Sequence, residues 1–363
     1  MTILTKKNKN KSKVNDSSAL NRQIRPFMTA ATFSLFALLI LMIFLSPFAY
    51  MVVTSFKTKE TLSEPNAPLW PAKENTFNYE GEDLEVYLVP TDDGETHKWA
   101  ILKQGREEST FIDINNPEAG PFNWTGKWRT LERDWIFTLN WGNFTRAWKE
   151  LRMPLLLRNT VIIAGMGSLG TVISCVMVGY GFSRFRIPGK NAFFTILIGT
   201  IILPSFVTLV PTYTIFYRLG WVGTWLPLIV PHFFANAYNV FLLRQFFMTI
   251  PKELDEAAMI DGAGPLRTLI SIILPQSLPV IVAVGIGHFL WSWNDYFTPL
   301  IYLLSERDLQ PIALGIQGYN SLYGTEPQLI QASSLLGLLL PVIVFFFVQR
   351  FFIRGIVFTG VEK

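Results

Sequence analysis

The sequence predicts an all-α polytopic membrane protein with six transmembrane helices and a small β-rich extracytoplasmic insert between helices 1 and 2. Three observations carry this. Half of the 363 residues are hydrophobic and only 16% are charged, a composition that excludes a soluble core as the whole molecule. Six uncharged runs follow one another, 26 to 56, 159 to 183, 191 to 217, 219 to 243, 268 to 294 and 327 to 349. Each exceeds the ~20 residues a helix needs to cross a ~30 Å hydrocarbon layer. Between the first two runs lies a segment of different character, residues 57 to 158, which holds 17 of the chain's 27 acidic residues beside 13 basic ones.

The elements follow in order. Residues 1–25 form a basic tail with seven Lys or Arg against one acidic residue, which places it on the cytoplasmic side. Lys6, Lys7, Lys9, Lys11 and Lys13 would also be drawn to anionic lipid, although a disordered topology signal is the plainer reading. Residues 26–56 make the first span, too long for a cleavable signal peptide and followed by no small-residue cleavage pattern. Arg184, Arg186 and Lys190 repeat the basic bias after the second span, while the short loops on the opposite side hold only Arg218 and Arg307. Six spans then leave both termini cytoplasmic and residues 57–158 outside.

Within 57–158, the runs Leu84 to Val89, Trp99 to Leu102 and Phe111 to Ile114 are rich in β-branched and aromatic residues and are separated by Asp92-Asp93-Gly94 and Gly105. They read as strands and turns of a domain from about 78 to 136. So small a domain has a thin core and is expected to lean on the membrane portion or on a partner. Residues 159–363 then form a core of five spans. It is interrupted by a charged cytoplasmic loop, 247–275.

That loop predicts a compact helical elbow. Pro251 suits a first helical turn, and Glu253, Asp255 and Glu256 sit where the helix dipole is positive. Leu254, Ala257 and Ala258 share one face by their spacing, and the two alanines would let a groove approach closely. Gly262, Gly264 and Pro265 stop the helix and turn the chain, and a bulky residue at Gly262 would be strained if the backbone there has φ > 0. Such an elbow suits a groove on another protein.

Chemistry is sparse elsewhere. Gly165-Met166-Gly167-Ser168-Leu169-Gly170 has the glycine spacing of a dinucleotide loop but lies mid-span, where small residues permit close helix packing. No phosphate-binding loop of the Gly-Lys-Ser/Thr type is present, no carboxylates pair in a catalytic context, and the lone Cys175 makes neither a disulfide nor a thiolate site. His97, His232 and His288 lie far apart with no metal-ligand spacing, and His288 is expected to hydrogen-bond between helices. Catalytic and metal sites are therefore expected to be absent. Pro204, Pro211, Pro227 and Pro231 interrupt helices as a translocation path would, or as ordinary kinks do. Trp291, Trp293, Asn294, Asp295 and Tyr296 combine aromatic faces with hydrogen-bonding groups and are the candidates for contact with a polar solute. The alternative is an aromatic belt at headgroup depth.

The loop carries a resemblance. Glu256-Ala257-Ala258, three residues, Gly262, nine residues, then Ile272-Ile273-Leu274-Pro275 is similar at every fixed position to the cytoplasmic Glu-Ala-Ala loop of ABC importer permease subunits. Ser46-Pro47 to Phe56, Arg158-Asn159-Thr160, Gly181 to Phe185 with Pro188-Gly189, Trp293-Asn294-Asp295 with Pro299-Leu300, and Gln349 to Phe352 with Arg354-Gly355 resemble the maltose-type branch, and within it the shorter of the two permease subunits. The resemblance implies the type I importer permease fold in a bacterial or archaeal cytoplasmic (inner) membrane. It implies a second, longer permease subunit, two ABC ATPase subunits that bind ATP and Mg, and an extracytoplasmic sugar-binding protein. No cofactor is expected on this chain, and no nucleic acid is expected as a partner. The coupling residues it implies are Glu256, Ala257, Ala258, Asp261, Gly262, Ala263, Leu274 and Pro275. The insert departs from the pattern, since the shorter subunit usually has only a brief loop there. A secondary carrier or channel is the competing reading, which would require ion-coupling charges within the spans. None of the six runs contains an acidic residue.

Overall fold

The computed structural model describes residues 12–91, 94–321 and 324–357, and side chains at either end only from Met28 and up to Gln349. Residues 1–11 of the basic tail, the Asp92-Asp93 turn and the side chains of the Arg350 to Gly355 motif lie outside the described residues, while the rest of the tail, from Ser12, continues the first helix rather than preceding it.

Helix α1 (Ser12–Ser55) contains the first bilayer-length stretch, Met28–Ser55, and none of its most apolar window is buried by this chain. A helix apolar on all sides needs lipid or another subunit around it. Its far end is held firmly. Buried Asn143 donates from Nδ2 to the carbonyls of Ser55 and Lys57, both at 2.8 Å, and Phe56 packs edge-on against Trp141 at 4.9 Å. The short helix α2 (Lys59–Ser63) follows, capped by the Thr58 hydroxyl, which accepts from the Thr61 N–H at 3.2 Å.

The insert is a β domain. Its strands are β1 (Ala72–Glu74), β2 (Thr76–Tyr79), β3 (Glu82–Pro90), β4 (Thr96–Lys103), β5 (Glu108–Asp113), β6 (Phe122–Thr125), β7 (Glu132–Arg133) and β8 (Trp135–Phe137). Strands β2 to β6 pair antiparallel in sequence order, β7 also pairs with β3, and β1 with β8 forms a separate ribbon. The three expected runs fall in β3, β4 and β5, and the strands reach beyond 78–136 at both ends. The β2–β3 hairpin turns on Glu80 and Gly81, at φ of 52° and 91°, the mirror-image turn whose twist matches paired strands.

Alternation along the strands fills both faces of the sheet. Leu84, Val86, Ala100 and Ile112 are buried on one face, and Tyr87, Val89, Ile101 and Phe111 on the other beneath Trp99, Phe122, Trp124 and Trp128. The Arg133 guanidinium gathers Glu64 at 3.4 Å, Glu85 at 3.6 Å and Glu74, tying ribbon, sheet and α2 together. Burial pushes the Glu74 carboxyl up in spite of that arginine.

The remaining described chain is helical apart from a short antiparallel ribbon, Asn320–Ser321 with Gly324–Thr325. Helix α3 (Gly142–Glu150) leads into α4 (Met153–Arg184), followed by α5 (Lys190–Gly199), α6 (Ser205–Arg218), α7 (Leu226–Ile229), α8 (Ala237–Thr249), α9 (Glu253–Ile260), α10 (Pro265–Thr268), α11 (Leu274–Gln276), α12 (Leu278–Trp293), α13 (Phe297–Leu303), α14 (Ile312–Gly315) and α15 (Pro327–Val357). Helix α4 starts before the expected 159 because Pro154 suits a first turn, where its missing N–H costs nothing. It is the central element, with α8 packed along it through Cys175, Val176, Val240, Leu243 and Phe247, and with Val284 of α12 in the same buried cluster.

Among the described residues, Met28–Ser55, Met153–Arg184, Leu226–Thr249 and Pro327–Gln349 are long and apolar enough to cross a bilayer. Two of the expected spans, 191–217 and 268–294, are sharply bent pairs, the first at Pro204, where an interruption was expected. Lys190–Ile202 and Phe206–Arg218 meet at 100°, and Pro265–Gln276 meets Leu278–Trp293 at 82°. Proline accounts for both bends. Pro204 forces Leu203 to an extended ψ of 121°, and Pro279 has no N–H to donate back across the break, so α11 cannot run on into α12 as one ladder.

Candidate coupling and translocation sites

The charged loop folds as an elbow. Helix α9 begins at Glu253 with Lys252 at the cap, so Pro251 stands just outside the first turn it was expected to enter. Glu253, Asp255 and Glu256 occupy that turn. The C-terminus closes as a Schellman motif, with Ala263 N–H donating to the Ala258 carbonyl at 2.9 Å and Gly262 N–H to the Met259 carbonyl at 3.0 Å. Gly262 takes φ of +77°, the left-handed conformation that glycine adopts most freely.

The expected small-residue face is divided. Asp255 and Ala258 turn inward and are buried, whereas Leu254, Glu256, Ala257, Asp261 and Gly262 are exposed. Ala258 packs within this chain because its three-residue spacing from Asp255 puts both on the inner side. Met259 and Ile260, which the loop reading passed over, are exposed by 65% and 86%. Ala263 is half-buried, and Pro275 is exposed on α11. Leu274 packs against the main core cluster and so supports the elbow from behind.

Sequence reading missed the anchor of this elbow. Arg184, the last residue of α4, stands 3.1 Å from Asp255 through Nε and Oδ2, off the line of a hydrogen bond. It also donates from Nη2 to the Ile250 carbonyl at 2.9 Å.

The second candidate site lies between α4, α12 and the 3-10 turn Val230–Phe233. His232 and His288, far apart in sequence and without metal-ligand spacing, have ring centres 4.3 Å apart, edge to face. Trp291 packs on both, at 5.8 Å and 5.4 Å. Gly167 makes this possible, since a Cβ there would stand 3.1 Å from His232 and 3.2 Å from His288. Gly170 similarly gives way to Phe233, whose ring would lie 2.6 Å from an added Cβ. The glycine run is therefore a packing surface. The expected interhelical hydrogen bond of His288 is not made, because its Nε2 is buried without a partner.

His232 and Trp291 stand between two cavities. One, of about 590 Å3, is lined by Asn236, Tyr238, Asn239 and His288, and the other, of about 210 Å3, by Thr160, Asp295, Thr298 and Tyr302. Of the predicted solute contacts, Trp291 and Asp295 are brought together here. Trp293 is buried at 4% exposure against Phe289 and the Met153–Leu156 cluster, so it faces away. Asn294 folds back on the Leu290 carbonyl at 2.8 Å, and Tyr296 lines a different cavity with Arg152 and Asp308. Helical phase explains part of the split: residues 291 and 293 point about 200° apart on α12, whereas 288 and 291 lie on one face, and Asp295 reaches the cavity from the turn that follows the helix. That spacing was available in the sequence. Among the described residues no group of three His, Cys, Asp or Glu is placed to hold a metal.

A long helix packed by glycines, an exposed capped elbow and cavities between helices that carry a few polar groups are features a membrane permease would need. Residues 160–357 match the family of binding-protein-dependent transport system inner membrane components, and the chain belongs to that family. It is 29% identical to the osmoprotective compounds uptake permease protein GgtD of Synechocystis, over 66% of this chain and 80% of the relative. It is 33% identical to the sn-glycerol-3-phosphate transport system permease protein UgpE of Pectobacterium atrosepticum, over 60% and 79%. A solved bacterial ABC transporter for import of the acidic polysaccharide alginate shares the fold at a TM-score of 0.61 and 16% identity, covering 90% of this chain and 96% of that one.

Proposed function

We propose that this chain is one of two permease subunits of an ATP-driven, binding-protein-dependent importer that moves a sugar or oligosaccharide into the cytoplasm. It acts with a second, longer permease, two ABC ATPase subunits that hold ATP and Mg, and an extracytoplasmic sugar-binding protein. The single observation that carries the reading is the elbow, an exposed helix with Glu256 and Ala257 outward and Gly262 holding a left-handed cap, in a chain of this family. Closure of the ATPase dimer moves the elbow, and the spans reorient around the solute.

The cavities favour a neutral, polyhydroxylated solute. Neither of the two that meet at His232 and Trp291 is lined by Lys or Arg, the side chains that a phosphate or uronate would need. The indole face suits a sugar ring, and the imidazole and amide edges suit its hydroxyls. The test is reconstitution of the four-component complex in vesicles. Copurification of an ATPase and ATP-dependent uptake of a neutral sugar are expected; uptake that follows an ion gradient without an ATPase would establish a secondary carrier instead.

On this reading the chain crosses six times, each bent pair once, with both termini in the cytoplasm and residues 57–158 outside; the bent pairs and the basic bias of residues 1–25 support it. Exposed Glu95 replaced by cysteine should react with a membrane-impermeant maleimide in intact cells once any outer membrane is opened. Native Cys175 is buried and adds little background. Labelling that appears only after lysis reverses the topology.

A further inference from the structure

The elbow leaves α8 through Ile250 and returns to the spans through α10, so the obvious route for its motion is along the chain into α12. That route is soft. After α10 come a π-helical stretch, Leu269–Ile273, the short α11, and the 82° bend before α12. A π-helical stretch next to a proline-marked break yields rather than pushes.

A stiffer route crosses between elements. Arg184 joins three of them: the end of α4 that carries it, the Ile250 carbonyl at the end of α8 at 2.9 Å, and the Asp255 carboxylate in the first turn of α9 at 3.1 Å. The two side chains are only 7% and 10% exposed. One turn earlier on α4, the Tyr180 hydroxyl donates to the Pro265 carbonyl at 3.2 Å, at the start of α10. Helix α4 thus grips the elbow at both its beginning and its end. The same helix carries Gly167, against which His232 and His288 rest.

Resting on the function proposed above, we infer that Arg184 is a positioning residue for transport: its buried pairing with Asp255 passes the movement of the elbow into α4, and so to the His232–His288–Trp291 partition. Glu256 and Ala257 make the outward surface, and Asp255 makes the inward grip. A carboxylate buried beside a guanidinium costs desolvation that the pair offsets only while both partners remain. Such a pair therefore fixes register between two elements more than it adds stability. The elbow cannot tilt without either carrying Arg184 with it or burying an unpaired charge.

The experiment uses the complete complex in vesicles, with uptake, ATP hydrolysis with and without loaded binding protein, and ATPase copurification measured together. Asp255→Asn and Arg184→Met should each lower uptake at least about tenfold while the ATPase still copurifies, so that the ratio of solute moved to ATP hydrolysed falls. The exchanged pair, Arg184→Asp with Asp255→Arg, should recover uptake at least threefold over the poorer single variant. Arg184→Lys keeps the charge but cannot fork to both partners, and should give an intermediate ratio; it decides the matter if the neutralised variants fail to accumulate. Singles with wild-type ratios overturn the inference. So do an exchanged pair no better than the singles, and a Lys variant with the wild-type ratio. Failure of the broader reading would show in the wild-type complex itself, as absence of ATP-driven uptake.

Discussion

Gly262→Val is expected to leave the chain in the membrane and to abolish coupled transport. The residue has φ of +77° and closes the Schellman motif. A side chain at that φ costs ~1–2 kcal/mol even without branching, and a β-branched one more. No atom lies within 4 Å of the position an added Cβ would occupy, so the defect comes from backbone conformation and from obstruction of whatever docks on the elbow. Relief of the strain would move Gly262 to negative φ, break the Ala263 to Ala258 hydrogen bond and swing Asp261 and Ala263 away from the docked surface. The ATPase subunits should then dissociate, or hydrolyse ATP without responding to loaded binding protein. Glu256→Ala should act in the same direction more weakly, losing one charge-assisted contact of about 1.5–3 kcal/mol. Uptake measured beside ATPase activity distinguishes these effects from loss of folding. Wild-type uptake and stimulation in Gly262→Val would remove the elbow from the coupling mechanism.

What could be read in the sequence was local. Gly262 follows Glu256-Ala257-Ala258 at the spacing of a helix and its cap, and the backbone there has no other good solution. The runs around Leu84, Trp99 and Phe111 announce strands because β-branched and aromatic residues alternate between turn-formers. Strands β1 and β7 carry no such signal and β8, Trp135-Ile136-Phe137, is too short to announce itself; they are tied in by distant partners, Arg133 with Glu74 and Asn75 with Asp134. Uncharged runs announced membrane crossings and Pro204 an interruption in the third, but neither the sharpness of that bend nor the one at Pro279 was announced, because proline at a helix start and proline at a break look alike in one dimension. The partition was invisible for a different reason. His232 and His288 meet only because Gly167 allows two other segments to close over it, and Arg184 meets Asp255 only after α8 and the elbow have folded back. The separation of Trp291 from Trp293, by contrast, follows from helical phase alone and was legible.

The partition supplies the second large effect. Gly167→Val should reduce transport at least about tenfold while leaving the ATPase bound, if the His232–His288–Trp291 cluster borders the solute path as proposed, because the substitution lies there and not on the elbow. An added Cβ would stand 3.1 Å from His232 Cδ2 and 3.2 Å from His288 Nε2, and valine directs two further methyl groups toward the same rings. Neither imidazole can retreat into protein, since each already packs on Trp291 within 6 Å. The free direction is into the cavities, which the rings would then obstruct. Overpacking of this kind costs ~1–3 kcal/mol in stability, so membrane level and ATPase copurification must be recorded with uptake. Gly165→Ala on the same helix is the control: nothing lies within 4 Å of its Cβ position, and alanine is the better helix former by about 1 kcal/mol. It should be transport-neutral. Equal uptake by Gly167→Val and Gly165→Ala would show that the His232–His288–Trp291 cluster does not border the path, and the solute must then cross elsewhere in the complex.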